Sequence, residues 1–279
     1  MTVAIVGIGL IGGSMALALK ESGFAQNVIG VEANKAHAQE AIELGLVDEV
    51  LPLSEAVAKS NVVILAIPVD AMENVLPQVL DKIDTQLVLE AGSTKSKIID
   101  LVKSHPKRKS FVATHPMWGT EYSGPQAAVQ GAFRNKAVVI CNKEESSDEA
   151  IDFAIGFYKM LGMHIVYMNA TAHDVHAAYV SHVAHITSFA LANTVLEKEK
   201  EESAIFELAS AGFESTVRLA KSNPAMWVPI FMQNRENVLD VLNEHISQLR
   251  KFKACLEKEN YEYLNELIEN ANKIRRIIK

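Results

Sequence analysis

His115 stands in Thr114-His115-Pro116-Met117-Trp118-Gly119-Thr120-Glu121-Tyr122-Ser123-Gly124, directly after the apolar run 111–113. Imidazole titrates near neutral pH, so a histidine at the end of a strand can accept a proton from a bound hydroxyl. The bland alternative is a loop histidine bonded to main chain. Arg218 lies in Thr216-Val217-Arg218-Leu219-Ala220. A guanidinium in an apolar stretch holds an anion, or it pairs with an internal acid such as Glu207 or Glu214. Ser93 follows Glu90-Ala91-Gly92. It reads equally as a catalytic hydroxyl and as an ordinary helix N-cap.

A phosphate cradle opens the chain. The strand-like Val3-Ala4-Ile5-Val6 runs into Gly7-Ile8-Gly9-Leu10-Ile11-Gly12, and a helical pattern follows. Gly7 permits the tight turn, Gly9 lets backbone approach a pyrophosphate, and Gly12 lets the helix pack closely. The fingerprint requires an acid about 20 residues on, and Glu32 ends the second apolar run. Its carboxylate suits ribose hydroxyls and repels a 2′-phosphate, so NAD is expected over NADP. Lys35 is the one nearby cation.

The rest of the chain must position these groups. Apolar runs at 62–67, 87–89, 111–113, 137–141 and 164–168 alternate with helical patterns at 34–44, 71–80, 95–103 and 148–161. Such alternation predicts a parallel sheet covered on both faces, with its ligand crevice beyond the carboxyl ends of the strands. Four loops fall there: Gly7 to Gly13, Pro68 to Asp70, Gly92 to Lys95, and His115 to Gly124. The expected cofactor set is therefore Gly7, Gly9, Leu10, Ile11, Gly12, Glu32 and Pro68. Beyond Asn169 only helical patterns remain, at 172–200, 205–210, 215–222, 225–256 and 261–277. The expected fold is α/β: a Rossmann-type dinucleotide-binding domain over 1–168, then an all-helical domain over 169–279. Long apolar-striped helices of this kind bury their excess face against another copy, so a homodimer is expected.

Composition narrows the class. The 279 residues are 49% hydrophobic and 22% charged with a net charge of −7, which argues against nucleic acid or an anionic membrane as partner. Two separate cysteines suit a reducing cytoplasm, and no signal peptide or membrane-length apolar run is read. His173, His176, His182 and His185 invite a metal site. On a helix, however, the first two point away from His185, and no acid or thiol completes a set, so none is expected.

Taken in order, five segments resemble the prephenate/arogenate dehydrogenases of tyrosine biosynthesis. They are Gly7 to Ser14, Gly92-Ser93-x-Lys95, His115 to Gly124, Ser181-His182-x-x-His185, and Gly212-Phe213 through Arg218 to Met226-Trp227. The resemblance implies NAD-dependent oxidative decarboxylation of prephenate to 4-hydroxyphenylpyruvate, or of arogenate in the same way. It implies that His115 bonds the ring hydroxyl, Ser93 orients it and Arg218 holds the ring carboxylate. His185 and Ser181 would face the side-chain end. Thr120, Glu121 and Gly212 would join the substrate pocket, and Trp227 would close the pocket of the partner subunit. The chain departs from the family at Glu90-Ala91, where Asp is frequent, and at Ser215, again in place of Asp. A single-activity core without a fused mutase or effector domain is expected. Two other readings stand beside it. A β-hydroxyacid-type dehydrogenase would use a lysine early in the helical domain, and residues 169–196 contain none. A non-catalytic dinucleotide sensor would need no converging His, Arg and Trp.

Overall fold

The computed structural model describes residues 1–200 and 205–277. Strand and helix alternate through β1 (Thr2–Val6), α1 (Leu10–Glu21), β2 (Asn27–Val31), α2 (Lys35–Glu43), β3 (Glu49–Val50), α3 (Leu53–Lys59), β4 (Val62–Leu65), α4 (Val69–Lys82), β5 (Leu87–Glu90) and α5 (Ser96–Val102). Then come β6 (Phe111–Pro116), β7 (Ala137–Cys141), α6 (Asp148–Met160) and β8 (His164–Met168). Helices follow: α7 (Ala170–Ala177), a π turn (Ala178–His182) and α8 (Val183–Glu199) run on continuously. After them come α9 (Ala211–Val217), α10 (Pro224–Gln233), α11 (Arg235–Glu257) and α12 (Tyr261–Asn272). Packing divides the chain into two compact units, Met1–Asn234 and Arg235–Lys279.

In the first unit one sheet runs in the order β3-β2-β1-β4-β5-β6-β7-β8. Alternate side chains of its central strands feed two separate cores. Val3, Ile5, Val62, Ile64 and Leu89 meet Met15 and Leu19 of α1 and Ala154 and Phe157 of α6. Ala4, Val6, Val63, Leu65 and Val88 meet Met72 and Leu76 of α4, Ile98 of α5, and Ile230 of α10. Burial on both faces explains why these strands read as unbroken apolar runs rather than alternating ones.

The expected all-parallel sheet needs one correction. β7 pairs antiparallel with β6, so β7 and β8 run against the other strands, though parallel to each other. The physical reason lies in the connection. Residues 117–136 contain no crossover α-helix, only a short 3₁₀ turn at Pro125–Ala127, and a parallel return needs a longer crossover. This segment instead lies against α1, where the Val129 amide donates to Ser14 Oγ at 2.9 Å.

The helical pattern at 225–256 is likewise two helices, broken at Asn234 (φ −106°, ψ 27°). The Asn234 side chain is drawn away to the Asp174 carbonyl at 2.7 Å and to His182 Nδ1 at 3.2 Å. The pattern at 205–210 is only a 3₁₀ turn, Phe206–Leu208.

The glycine loop is packed as tightly as the fingerprint demands at one position and left open at another. A Cβ on Gly12 would stand 2.0 Å from the Gly7 carbonyl oxygen, whereas one on Gly9 would meet nothing within 4 Å. Gly12→Ala should cost about 3 kcal/mol or more in chemical denaturation, and Gly9→Ala at most about 1 kcal/mol. Equal midpoints for the two variants would contradict this packing.

Candidate active site

Gly7 (φ +88°) turns the chain out of β1, and its N–H donates to the Val31 carbonyl at 2.8 Å. α1 begins with Gly9 as a cap that has no side chain, so no side-chain oxygen occupies its first amides. Those amides are free to meet a phosphate. At the tip of β2, Glu32 Oε2 accepts from the Ile8 amide and Oε1 from the Asn34 amide, both at 3.0 Å. The carboxylate is thus fixed beside the loop, and each oxygen keeps a second lone pair for a ribose hydroxyl.

A cavity of about 220 Å³ follows the carboxyl ends of the central strands. Gly9, Leu10, Ile11, Pro68 and Ser93 all line it, so the expected cofactor loops and the serine converge on one space. Tyr122 and Met226 line it too; both lie in segments that the sequence singled out, though neither was named as a site residue.

Ser93 is not the helix cap that its position suggested. α5 begins at Ser96, and its first amides are taken from outside: Asp174 of α7 accepts from Lys95 N at 2.8 Å and from Ser96 N at 2.9 Å. Beneath this loop Glu90 and Lys95, both fully buried, form an ion pair. Glu90 also accepts from the Gly92 amide at 2.7 Å and the Thr114 amide at 3.2 Å. Burial pushes the Glu90 carboxyl above its ordinary range, against the pull of Lys95.

His115, half-buried near the end of β6, has Nδ1 at 2.8 Å from His173 Nε2. His173 Nδ1 in turn lies 2.8 Å from Asp174 Oδ1. Burial holds the His115 pKa well below the usual histidine value, and His173, Lys95 and His182 press it further down. The imidazole is therefore neutral at neutral pH and able to accept a proton. Neither His173 nor Asp174 was a sequence candidate for this role. The histidine was weighed only as half of a metal pair, and contact with residue 115 was invisible at that separation. Among the described residues no group of three or more His, Cys, Asp or Glu side chains is placed to hold a metal.

The arginine end is built separately. Arg218 Nη1 donates to Glu121 Oε2 at 2.6 Å, an internal acid other than the two considered from sequence. His185 stacks on Trp227, with ring centroids 3.4 Å apart and planes at 26°, while its Nδ1 lies 3.0 Å from the Ser181 carbonyl. Within its own chain the Trp227 indole covers His185. Burial, then Arg218, lowers the His185 pKa. His115 and Arg218 do not line the 220 Å³ cavity. His182 lies within electrostatic reach of His115, and His185 within reach of both His182 and Arg218. Thr120 accepts from the Tyr122 amide at 3.3 Å. Gly212, in α9, has no close neighbour beyond Ser210 Oγ at 3.8 Å from a notional Cβ.

Comparison with known proteins agrees over nearly the whole chain. Residues 15–167 match the family described as "Prephenate dehydrogenase, nucleotide-binding domain", and residues 169–270 match "Prephenate dehydrogenase, dimerization domain". Prephenate dehydrogenase of Bacillus subtilis (strain 168) is 30% identical over 278 residues, covering 98% of this chain and 75% of that one. A crystal structure of prephenate dehydrogenase from A. aeolicus, in complex with hydroxyphenyl propionate and NAD+, superposes with a TM-score of 0.91 at 29% identity. That match covers 100% of this chain and 98% of the other. Synechocystis arogenate dehydrogenase gives a TM-score of 0.75 at 25% identity, with 100% of both chains covered.

The electrostatics of the site predict an acid-sensitive fold. His115, His173, His182 and His185 all have depressed pKa values, chiefly through burial, with His182 at about 4. Below about pH 6.5 the unfolded chain takes up protons at these positions and the folded chain resists, so stability falls as pH drops toward about 4. The raised Glu90 opposes this trend, as one group against four. Tm should therefore decrease between about pH 7.5 and pH 5, and a flat or rising Tm there would contradict the buried neutral imidazoles.

Proposed function

The chain belongs to the prephenate dehydrogenase family, and from that membership we propose that it oxidises and decarboxylates prephenate to 4-hydroxyphenylpyruvate, with NAD+ as acceptor, in cytoplasmic tyrosine biosynthesis. One observation carries the reading. The imidazole of His115, held neutral by burial, stands near the end of β6, and Glu90 ties that strand at Thr114 to the serine loop at Gly92. The A. aeolicus relative carries NAD+ and a hydroxyphenyl compound. The cradle fits the cofactor, since uncapped amides at α1 suit its phosphates and the pinned Glu32 suits its ribose. Bound NAD+ supplies the hydride acceptor.

The remaining work falls to side chains. His115 takes the ring hydroxyl proton as hydride leaves the same carbon, which becomes a carbonyl. Ser93 orients that oxygen. Arg218 exchanges its contact with Glu121 for the ring carboxylate and holds it until carbon dioxide leaves. The C–C bonding electrons then aromatise the ring, and the former carbonyl oxygen takes its proton back from His115 to become the phenol. His185 and Ser181 form the side-chain end of the pocket, and Thr120, Glu121 and Gly212 join the lining. Residues 169–279 serve as the substrate and dimerisation domain. A homodimer is supported by the matched dimerization family and by exposed Tyr261, Ile268 and Ile274 on the second unit.

NADH formation should follow prephenate addition to the purified protein with NAD+. His115→Asn should lower kcat by about 10²–10⁴ with little change in NAD+ affinity, and Arg218→Gln should chiefly raise the KM for prephenate. Near-wild-type turnover of the first variant would remove His115 from the chemistry, and preference for arogenate would assign the other substrate. Light scattering after size exclusion should give a mass of two chains at micromolar concentration. A single-chain mass would refute the dimer.

A further inference from the structure

We infer that His173 and Asp174 are positioning residues that fix which nitrogen of His115 is basic, and that Asp174 simultaneously fixes the loop carrying Ser93. This inference rests on His115 being the base. It follows from donor and acceptor counting along one buried line.

Asp174 is buried, and each of its oxygens accepts from a backbone amide: Oδ1 from Lys95 N and Oδ2 from Ser96 N. An ionised carboxylate accepts and cannot donate, so the His173 Nδ1 that sits 2.8 Å from Oδ1 must carry the hydrogen. Burial pushes the His173 pKa down, so in its neutral form the opposite nitrogen, Nε2, is a lone pair. That lone pair lies 2.8 Å from His115 Nδ1, which must therefore carry a hydrogen of its own. In neutral His115 the one remaining lone pair is on Nε2.

The same carboxylate does a second job. Its two amide contacts stitch the start of α5 to α7, immediately after Ser93-Thr94. Asn234 adds a further tie by donating to the Asp174 carbonyl at 2.7 Å. Base and serine are thereby referenced to one side chain, so their separation is held by a shared anchor rather than by two independent elements. Such an arrangement matches the general requirement that an acid–base group be locked by an outer partner.

The test compares His173→Leu with His173→Gln, read by steady-state kinetics and by histidine-selective ¹⁵N NMR of the full-length enzyme. Leucine removes the acceptor facing His115. A glutamine carbonyl restores it, so His173→Gln should retain kcat within about threefold. His173→Leu should lower kcat about 10–100-fold while leaving the KM for NAD+ unchanged. The wild-type spectrum should show His115 with its hydrogen on Nδ1. Equal damage by both variants would mean that His173 only fills space, and wild-type kcat in His173→Leu would remove it altogether. Should His173→Leu fail to fold, a wild-type spectrum with the hydrogen on Nε2 overturns the inference by itself. Loss of activity in His115→Asn alongside an undamaged His173→Leu would leave the proposed reaction standing and sink only this positioning role.

Discussion

A histidine half-buried near the end of a sheet strand can act as a base only if it stays neutral and turns a lone pair outward. Both conditions are met here by the same neighbourhood. Desolvation and the nearby Lys95 and His182 disfavour the imidazolium, while the line from Asp174 through His173 occupies Nδ1. Other parts of the first unit serve that constraint: β6 delivers His115, Glu90 of β5 ties the serine loop to it, and α7 brings His173 against its ring.

The ion pair of Glu90 with Lys95 belongs to this design. Burying two charges costs several kcal/mol per ion before their attraction offsets it, so such a pair is weak evidence for stability. Its position is more informative. Lys95 is a cation that depresses both His115 and His173, and Glu90 keeps that cation from standing unpaired in the core. Glu90 also accepts from the Gly92 and Thr114 amides, tying the serine loop to the strand that ends in His115. The glutamate side chain reaches Lys95 while making both contacts.

Local rules made the cofactor half of the site legible. Gly7, Gly12 and Glu32 are constrained by backbone geometry within one strand–turn–helix unit, and short-range spacing carries that information. Long-range contacts left no such trace. Nothing local says that Asp174 caps α5 across 79 residues, displacing Ser93 from that role, or that His173 meets His115 across 58. The break at Asn234 was hidden for the same reason, because its cause is a side chain pulled toward His182 and Asp174 rather than a Pro or Gly. The reversed β7 and β8 could have been suspected from residues 117–136, which lack helical periodicity and so cannot supply a parallel crossover. The stacking of Trp227 on His185 is likewise a long-range contact, across 42 residues, that no local signal announces.

The most direct measurement is a crystal structure of the enzyme with NAD+ and 4-hydroxyphenylpyruvate. The account predicts the phenolic oxygen within about 2.6–3.2 Å of His115 Nε2, and the Nδ1 contact to His173 preserved. A phenolic oxygen held by other groups, with His115 Nε2 turned away from the ring, would contradict it.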